Sequence, residues 1–470
     1  MTKLNKTHGD KLLSLCTSLV NKTKNSQLFA DLIEKEIEIV SHTKVNLTVS
    51  QKRYLHYLDK IKAIYGKNGD LSKLRNTIYR EMHKKTKFVI YTQDLACWGS
   101  LESVYKALER DDRCEVTVVY VNFVNVYDNS SSEEFEIYRK SYCPTIVSLS
   151  KYDLQKASPD VAIFVKPYDE MVPEEARFRY VEHCVDYTIY VPYGMEFNTG
   201  LIKYAFNGYL HAKVWRHIGY GPVVLEYGAY YGYRNGSNIV DWGHPKGDYS
   251  TTLVDIPKQW LEKIRDRKVI LWTPHHSIDT KDPNHVGTWI QWSEQIIDLF
   301  KKNKSIVLLF RPHPLLFKSL LTNEVLNESS LDELIDFFNT QDNMILDDGP
   351  DYRPAFQISN ALITDGTTFS VEYLYTRKPE AVTIVDKNKF YKSKEFCEAV
   401  QIIDSQKDLV QFVKEVEQDL DLHKRSRNAF MQRYFTIPNG VTIGQNIVNH
   451  TLEDMNQEIV SMQFGVFRAI

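Results

Sequence analysis

Residues 362–379 read LITDGTTFSVEYLYTRKP. The stretch opens apolar, turns through Thr-Asp-Gly-Thr-Thr, and resumes as an amphipathic run closing on Arg-Lys-Pro. That is the pattern of a buried strand handing over to a helix. Gly366 lets the backbone bend sharply and lets a ligand come close. Thr367 and Thr368 add hydroxyls, and the first-turn amides of a helix point outward without intrahelical partners. Such a start suits an anion, phosphate above all. Asp365 is a candidate cap. Glu372, one turn beyond Thr368 on the same face, is placed to accept from a ribose or alcohol hydroxyl. The same residue types also make a plain helix N-cap, so the turn alone leaves both readings open.

Working outward, the chain repeats this strand-to-helix rhythm. "KVILWTPHHS" (268–277), "SIVLLFRPHP" (305–314), "NMILDD" (343–348) and "PEAVTIVD" (379–386) are short apolar runs, and "WIQWSEQIIDLFKKN" and "LDELIDFFNTQ" are the helices between them. Upstream, "KFVIYTQDLACWGSLESVYKAL", "CEVTVVYV", "PDVAIFVKPYD" and "DYTIYVPYG" form a second such series. Strands alternating with helices predict open parallel sheets, hence an α/β protein of two successive units. The rhythm pauses around "VDWGHPKGDY" (240–249), which marks the junction. We expect a basic helical extension over 1–85, a first unit over 86–250, a second over 251–425, and a helical tail over 426–470.

In parallel α/β sheets ligands gather beyond the carboxyl ends of the strands. In the second unit those positions hold His275 and His276, Arg311 and His313, and Asp365 to Thr368. Arg offers a planar fork for phosphate oxygens, and a His beside phosphate can stay protonated and neutralise charge. Two prolines stiffen the segment carrying Arg311 and His313. No Asp-x-Asp follows any of these strands, and no Gly-rich Lys loop and no spaced His/Glu ligand set is present, so no metal and no cofactor is expected.

Composition bounds the rest. At 470 residues, 43% hydrophobic and 25% charged, the chain has material for more than one core. No apolar run reaches the ~20 residues of a membrane-spanning helix, and the N-terminus does not read as a secretory signal. Six scattered cysteines without a Cys-x-x-Cys pair suit reduced thiols in the cytoplasm rather than a zinc site. Charge is uneven. Residues 1–87 hold 18 Lys/Arg against 8 Asp/Glu, the remainder 40 against 53. A basic arm ahead of an acidic body can dock on anionic lipid or a polyanionic polymer, and a solvated helical hairpin has the same composition.

The order "VPYG…WGHPKGD…LWTPHHS…LFRPHP…LITDGTTFSVEYLYTRKP" resembles the CDP-glycerol glycerophosphotransferase family, GT-B-type enzymes that build teichoic-acid-like and capsule polymers. The resemblance runs over roughly 86–450 and is strongest over 305–385. It implies two Rossmann-like domains facing a central cleft, and a CDP-activated polyol, CDP-glycerol or a related alditol, as donor. The acceptor would be a lipid-linked or polyanionic chain, with possible peripheral contact at the inner membrane face and no nucleic acid. His313 falls at the family's phosphate-contacting His, Thr367 and Thr368 at its hydroxyl pair, Glu372 at its acid. Gly243, Pro245, Lys246 and Asp248 match the junction motif. One position departs. Where the teichoic-acid polymerases carry Trp-His-Gly with a proposed catalytic His, this chain has "VPYGMEF", putting Tyr193 there. A phenol of pKa near ~10 is a poor base at neutral pH, so Glu196, His211 and His217 become the other candidates. A GT-B glycosyltransferase using a nucleotide sugar, or a non-catalytic nucleotide- or polymer-binding module, would share much of this pattern.

Overall fold

The computed structural model describes residues 9, 11–13, 15–16, 49–65, 71, 74, 85–125, 130–132, 135–197, 202–279, 285–365, 368–384 and 393–468. Most of the basic extension, and with it the arm's proposed docking role, lies outside these residues. The helix Val49–Tyr65 is described, and its Tyr54, Tyr57, Leu58 and Ile61 share a small cluster with Leu12 and Cys16.

In the first unit β1 (Thr86–Thr92) and β2 (Cys114–Tyr120) precede a short antiparallel hairpin, β3 (Phe123–Asn125) and β4 (Ser130–Ser132). With β5 (Val147–Ser148), β6 (Val161–Phe164), β7 (Tyr187–Tyr190), β8 (Arg216–Ile218) and β9 (Ile239–Val240), strands β1 and β2 make a seven-stranded sheet. Its order is β5-β2-β1-β6-β7-β8-β9, and each pairing is parallel. The second unit has β10 (Lys268–Thr273), β11 (Ile306–Phe310), β12 (Met344–Leu346), β13 (Ala361–Thr364), β14 (Glu380–Thr383) and β15 (Gln401–Ile403). They form a parallel sheet of order β12-β11-β10-β13-β14-β15. Central strands are buried throughout, β11 and β13 at every residue. Helices cover both faces, so continuous Val/Ile/Leu runs rather than alternation are what such strands require. The α/β, two-unit expectation holds.

Each sheet reverses direction once. The chain steps from β1 outward to β2 and β5, then returns to the far side of β1 with β6. It repeats the move from β10 to β11 and β12, returning with β13. A crevice opens at such a switch point, beyond the strand ends. Here the two crevices lie beyond β1, β2 and β6, and beyond β10, β11 and β13.

The tail does not hang free. The helix Ile443–Arg468 crosses back onto the first unit, where Ile443, Ile447, Val448, Leu452 and Met455 join Val104 and Leu108 in one core. Asp248 of the junction motif caps its start, Oδ1 accepting from the Ile443 amide and Oδ2 from the Gly444 amide, both at 3.0 Å. A Cβ at Gly444 would lie 2.2 Å from the Ser103 main chain, so only glycine permits this approach. Val371, Leu374 and Tyr375 of the second unit also enter that core. Among the described residues no helix is long and apolar enough to cross a membrane.

Candidate functional site

The second switch point brings together the strand-end residues singled out from the sequence. His275 and His276 follow β10 and His313 follows β11. Their rings meet at centroid distances of 4.3 Å (275–276), 4.2 Å (276–313, stacked) and 4.9 Å (275–313). Proline geometry and two backbone bonds hold the turns, with the His313 amide donating to the Pro274 carbonyl at 3.1 Å and the Arg311 amide to Trp272 at 2.9 Å.

The hydrogen bonds also fix the tautomers. Nδ1 of His275 accepts from the Ser277 amide at 3.2 Å and lies 2.8 Å from the Ser277 hydroxyl. Nδ1 of His313 accepts from the Leu315 amide at 3.1 Å. An imidazole whose Nδ1 accepts carries its proton on Nε2, so both rings present N–H donors. Burial, aided by the neighbouring rings, pushes His275 down to about 3 and His313 to about 4. Both are therefore neutral at pH 7. The expectation of a standing imidazolium gives way to two neutral donors, because burial, with a smaller push from the neighbouring rings, disfavours the charged form here. One ring nitrogen from each His lies within 4.8 Å of the others, a spacing a divalent cation could use. With Nδ1 occupied and Nε2 protonated, His275 and His313 offer donors rather than lone pairs.

Three expected ligand groups have other work. Arg311 turns its guanidinium to Asp347 (Nη1 to Oδ2, 2.6 Å) and to the Gly349 carbonyl (Nη2, 2.7 Å), so its fork secures the loop after β12 instead of reaching for phosphate. Asp365 is not a cap of the following helix. Its Oδ2 accepts from the amides of His275 (2.6 Å) and Thr288 (3.1 Å), and Oδ1 from the hydroxyls of Thr288 (2.7 Å) and Thr383 (3.1 Å). It ties the ends of β13 and β14 to the loop that carries the histidines. Burial lifts this carboxyl to about 6 against the opposing pull of those bonds. Glu372 is buried instead of lying at a pocket mouth: Lys246 Nζ donates to Oε1 at 2.5 Å and Tyr352 OH to Oε2. Gly366 and Thr367 lie outside the described residues. Thr368 is exposed at the start of its helix, Thr368–Tyr373.

On the facing side, Tyr193 is exposed, and its hydroxyl lies 2.9 Å from that of Tyr168. Desolvation and the Tyr168 phenol hold it well above the ordinary phenol range, which removes it as a base. His211 and His217 are buried among aromatic rings, 5.2 and 4.9 Å from Tyr190, and burial pushes both down. Neither has an open face for a substrate. Glu196 is half-buried, and its main-chain carbonyl accepts from Tyr220 OH at 2.8 Å. The two sides meet at Gly194, where an added Cβ would stand 3.6 Å from Thr368 Cγ2.

Sequence reasoning passed over His244. This fully buried residue bonds the Pro192 carbonyl through Nε2 (2.7 Å) and accepts from the Lys246 amide at Nδ1 (3.3 Å). Burial and the Lys246 charge push it down to about 3. It fixes the turn that carries Tyr193 to the junction motif, while Lys246 fixes the junction motif to the donor-side helix. Its signal was the residue between Gly243 and Pro245, a position the motif leaves free.

Comparison with known proteins places this geometry. Residues 228–452 match the family model described as CDP-glycerol:poly(glycerophosphate) glycerophosphotransferase. A variant of the wall teichoic acid polymerase TagF superposes with a TM-score of 0.51 at 16% identity, covering 80% of this chain and 90% of that one. A UDP-N-acetylglucosamine 2-epimerase gives 0.51 at 12%, covering 78% and 94%. At such identities the likeness is one of GT-B-like fold. No curated protein matches. The family match takes in the junction motif, the three histidines and the 362–379 turn. Through residues 228–452, just under half of its length, the chain matches the CDP-glycerol:poly(glycerophosphate) glycerophosphotransferase family.

Proposed function

We propose that the protein transfers a polyol phosphate from a CDP-activated donor, CDP-glycerol or a related CDP-alditol, to a hydroxyl of a growing cell-surface polymer, releasing CMP. The observation that carries the reading is the pair of Nε2–H donors, His275 and His313, at the switch point of the second sheet. Across from this unit, an added Cβ at Gly194 would stand 3.6 Å from Thr368 Cγ2. Phosphoryl transfer asks little covalent work of a protein; positioning and charge stabilisation carry it. His275 and His313 would hold diphosphate oxygens, Thr368 would add a hydroxyl, and Asp365 would keep the histidine loop in place. The match to the family model and the fold shared with the polymerase TagF support the same reading. The basic arm over 1–87 would draw in the polyanionic acceptor or the anionic lipid surface that carries it.

The test is product analysis. Purified protein is supplied with CDP-glycerol and an oligo(glycerol phosphate) primer, and CMP release is followed beside primer mass. Growth by glycerol phosphate units with matching CMP is expected. Activity with UDP- or GDP-sugars and none with CDP-alditols would contradict the reading.

A further inference from the structure

Beyond the carboxyl ends of β6 and β7, neighbours in the first sheet, two phenols converge. The ring centres of Tyr168 and Tyr193 are 6.2 Å apart while their hydroxyls are 2.9 Å apart, so the rings lean together at their polar tips. The loop carrying Tyr168 is anchored. Asp169 Oδ1 accepts from the Phe178 amide at 2.7 Å, and the Tyr168 carbonyl accepts from the Met171 amide at 3.2 Å. Lys166, ion-paired with Asp94, stands 5.8 Å from the centre of the Tyr193 ring. Its charge is already matched there, so the pair offers hydroxyl chemistry rather than net charge.

The turn that carries Tyr193 is fastened toward the donor-side helix through three of its residues. Pro192 is bonded by His244, whose Nδ1 accepts from the Lys246 amide, and Lys246 Nζ donates to Glu372 on the helix Thr368–Tyr373. A Cβ at Gly194 would stand 3.6 Å from Thr368 Cγ2. Tyr375 OH donates to Met195 Sδ at 3.7 Å. Thr368 closely follows Asp365, which accepts from the His275 amide at 2.6 Å. Tyr193 is the exposed residue of this stretch, so a ligand on its hydroxyl lies beside the donor turn.

A phenol carries one donor and accepts through its oxygen. The bond between the two uses one O–H, which leaves the other O–H and the remaining lone pairs for a ligand. Desolvation and the Tyr168 phenol keep the Tyr193 proton in place. A hydroxyl both donates and accepts, so it pairs fully with such a set, whereas a phosphate oxygen only accepts. The apolar ring bodies suit the C–H groups between hydroxyls. Resting on the transferase reading above, we propose that Tyr168 and Tyr193 form the acceptor subsite, binding the hydroxyl-bearing polyol end of the growing polymer beside the donor turn. The pair takes no proton from the acceptor. It binds the hydroxyl next to the one that attacks, and so sets where the attacking oxygen stands.

The test uses the full chain with CDP-glycerol and the oligo(glycerol phosphate) primer. It reads kcat, the KM of each substrate and donor-induced thermal stabilisation, with primer binding in the absence of donor followed by calorimetry. Tyr168→Phe and Tyr193→Phe each remove one hydroxyl and keep the ring. We expect each to raise the primer KM and weaken primer binding about three- to tenfold, the worth of one neutral hydrogen bond, with the CDP-glycerol KM and thermal shift unchanged. A primer ending in propanediol phosphate keeps the terminal hydroxyl but lacks its neighbour. It should show the raised KM on the wild type, and the Phe variants should lose little more with it. Unchanged primer binding in both variants, an equal loss of donor and primer affinity, or an undiminished loss with the propanediol primer overturns the subsite. No CMP release by the wild type with either CDP-glycerol or CDP-ribitol overturns the transferase reading instead, and primer binding that still depends on the two hydroxyls would then uphold the subsite alone.

Discussion

Asp365 receives four hydrogen bonds from His275, Thr288 and Thr383, which makes it the residue on which the histidine loop depends. Asp365→Asn would turn an amide N–H₂ toward at least one donor and leave a buried group unbonded. We predict a loss of about 2–3 kcal/mol by urea unfolding, and weaker donor binding because His275 is no longer fixed. His313→Ala, by contrast, should leave the midpoint nearly unchanged and weaken CDP-glycerol binding roughly tenfold or more, the worth of one hydrogen bond to a charged group. Sequence reading found both residues because they sit at strand ends. It assigned Asp365 to the wrong partner, since nothing local shows that His275 and Thr288 both come to the end of β13. The same strand-end rule, applied to "KFVIYTQD" and "AIFVKP", selects Asp94 and Lys166 as readily as it selected His275 and His313. These two are 72 residues apart, and their pairing follows only from the strand order.

At the scale of elements, Lys378 shows what the Arg-Lys-Pro close of the 362–379 stretch does. Its Nζ donates to the carbonyls of Phe356, Gln357 and Ser359 at 2.7–2.9 Å, capping the helix Arg353–Ile358. A cation at a helix C-terminus meets unpaired carbonyls and the negative end of the dipole. Burial lowers this amine to about 8. Lys378→Met should therefore destabilise by about 2 kcal/mol, measured by denaturant unfolding with an unchanged slope. Asp248 does the reverse at the start of the helix Ile443–Arg468, and Asp248→Ala should cost about 1 kcal/mol. The strands β10, β11 and β13 were legible as long apolar runs. Strands β5, β8, β9 and β15 have two or three residues each, too few for any period to show. The crossing of the last helix onto the first unit was illegible too, because an amphipathic helix does not say which face of which domain it covers.

For the whole molecule, the two units are fastened by buried ions. Arg353 donates to Glu102 of the first unit at 3.1 Å, clasps Asp351 with Nε and Nη2, and lies 4.2 Å from the Tyr249 ring. Removing one partner of such a buried set strands the others, so Arg353→Ala should cost about 3–5 kcal/mol. Stability should also depend on pH with a definite sign. His211, His244, His275 and His313 are all held below the ordinary 6.5, at about 4, 3, 3 and 4. Between pH 6.5 and 4 the unfolded chain binds protons that the native state refuses, so stability falls as pH falls. Asp365, raised to about 6, acts oppositely between pH 6 and 3.8, as do Asp241 and Asp347, which burial also raises. With His217 and His276, likewise lowered, these are three carboxyls against six histidines. The melting temperature should drop steadily from pH 7 to 5.

The central claim is that the three-histidine crevice holds a cytidine diphosphate group. The most direct measurement is thermal stability of the purified protein with CMP, CDP-glycerol, CDP-ribitol, UDP and GDP, beside His313→Ala. A ligand at about 100 times its dissociation constant stabilises by about 2.7 kcal/mol. A shift confined to cytidine nucleotides and lost in His313→Ala is the predicted result. A shift with UDP or GDP alone, or a cytidine shift that survives in the variant, would contradict it.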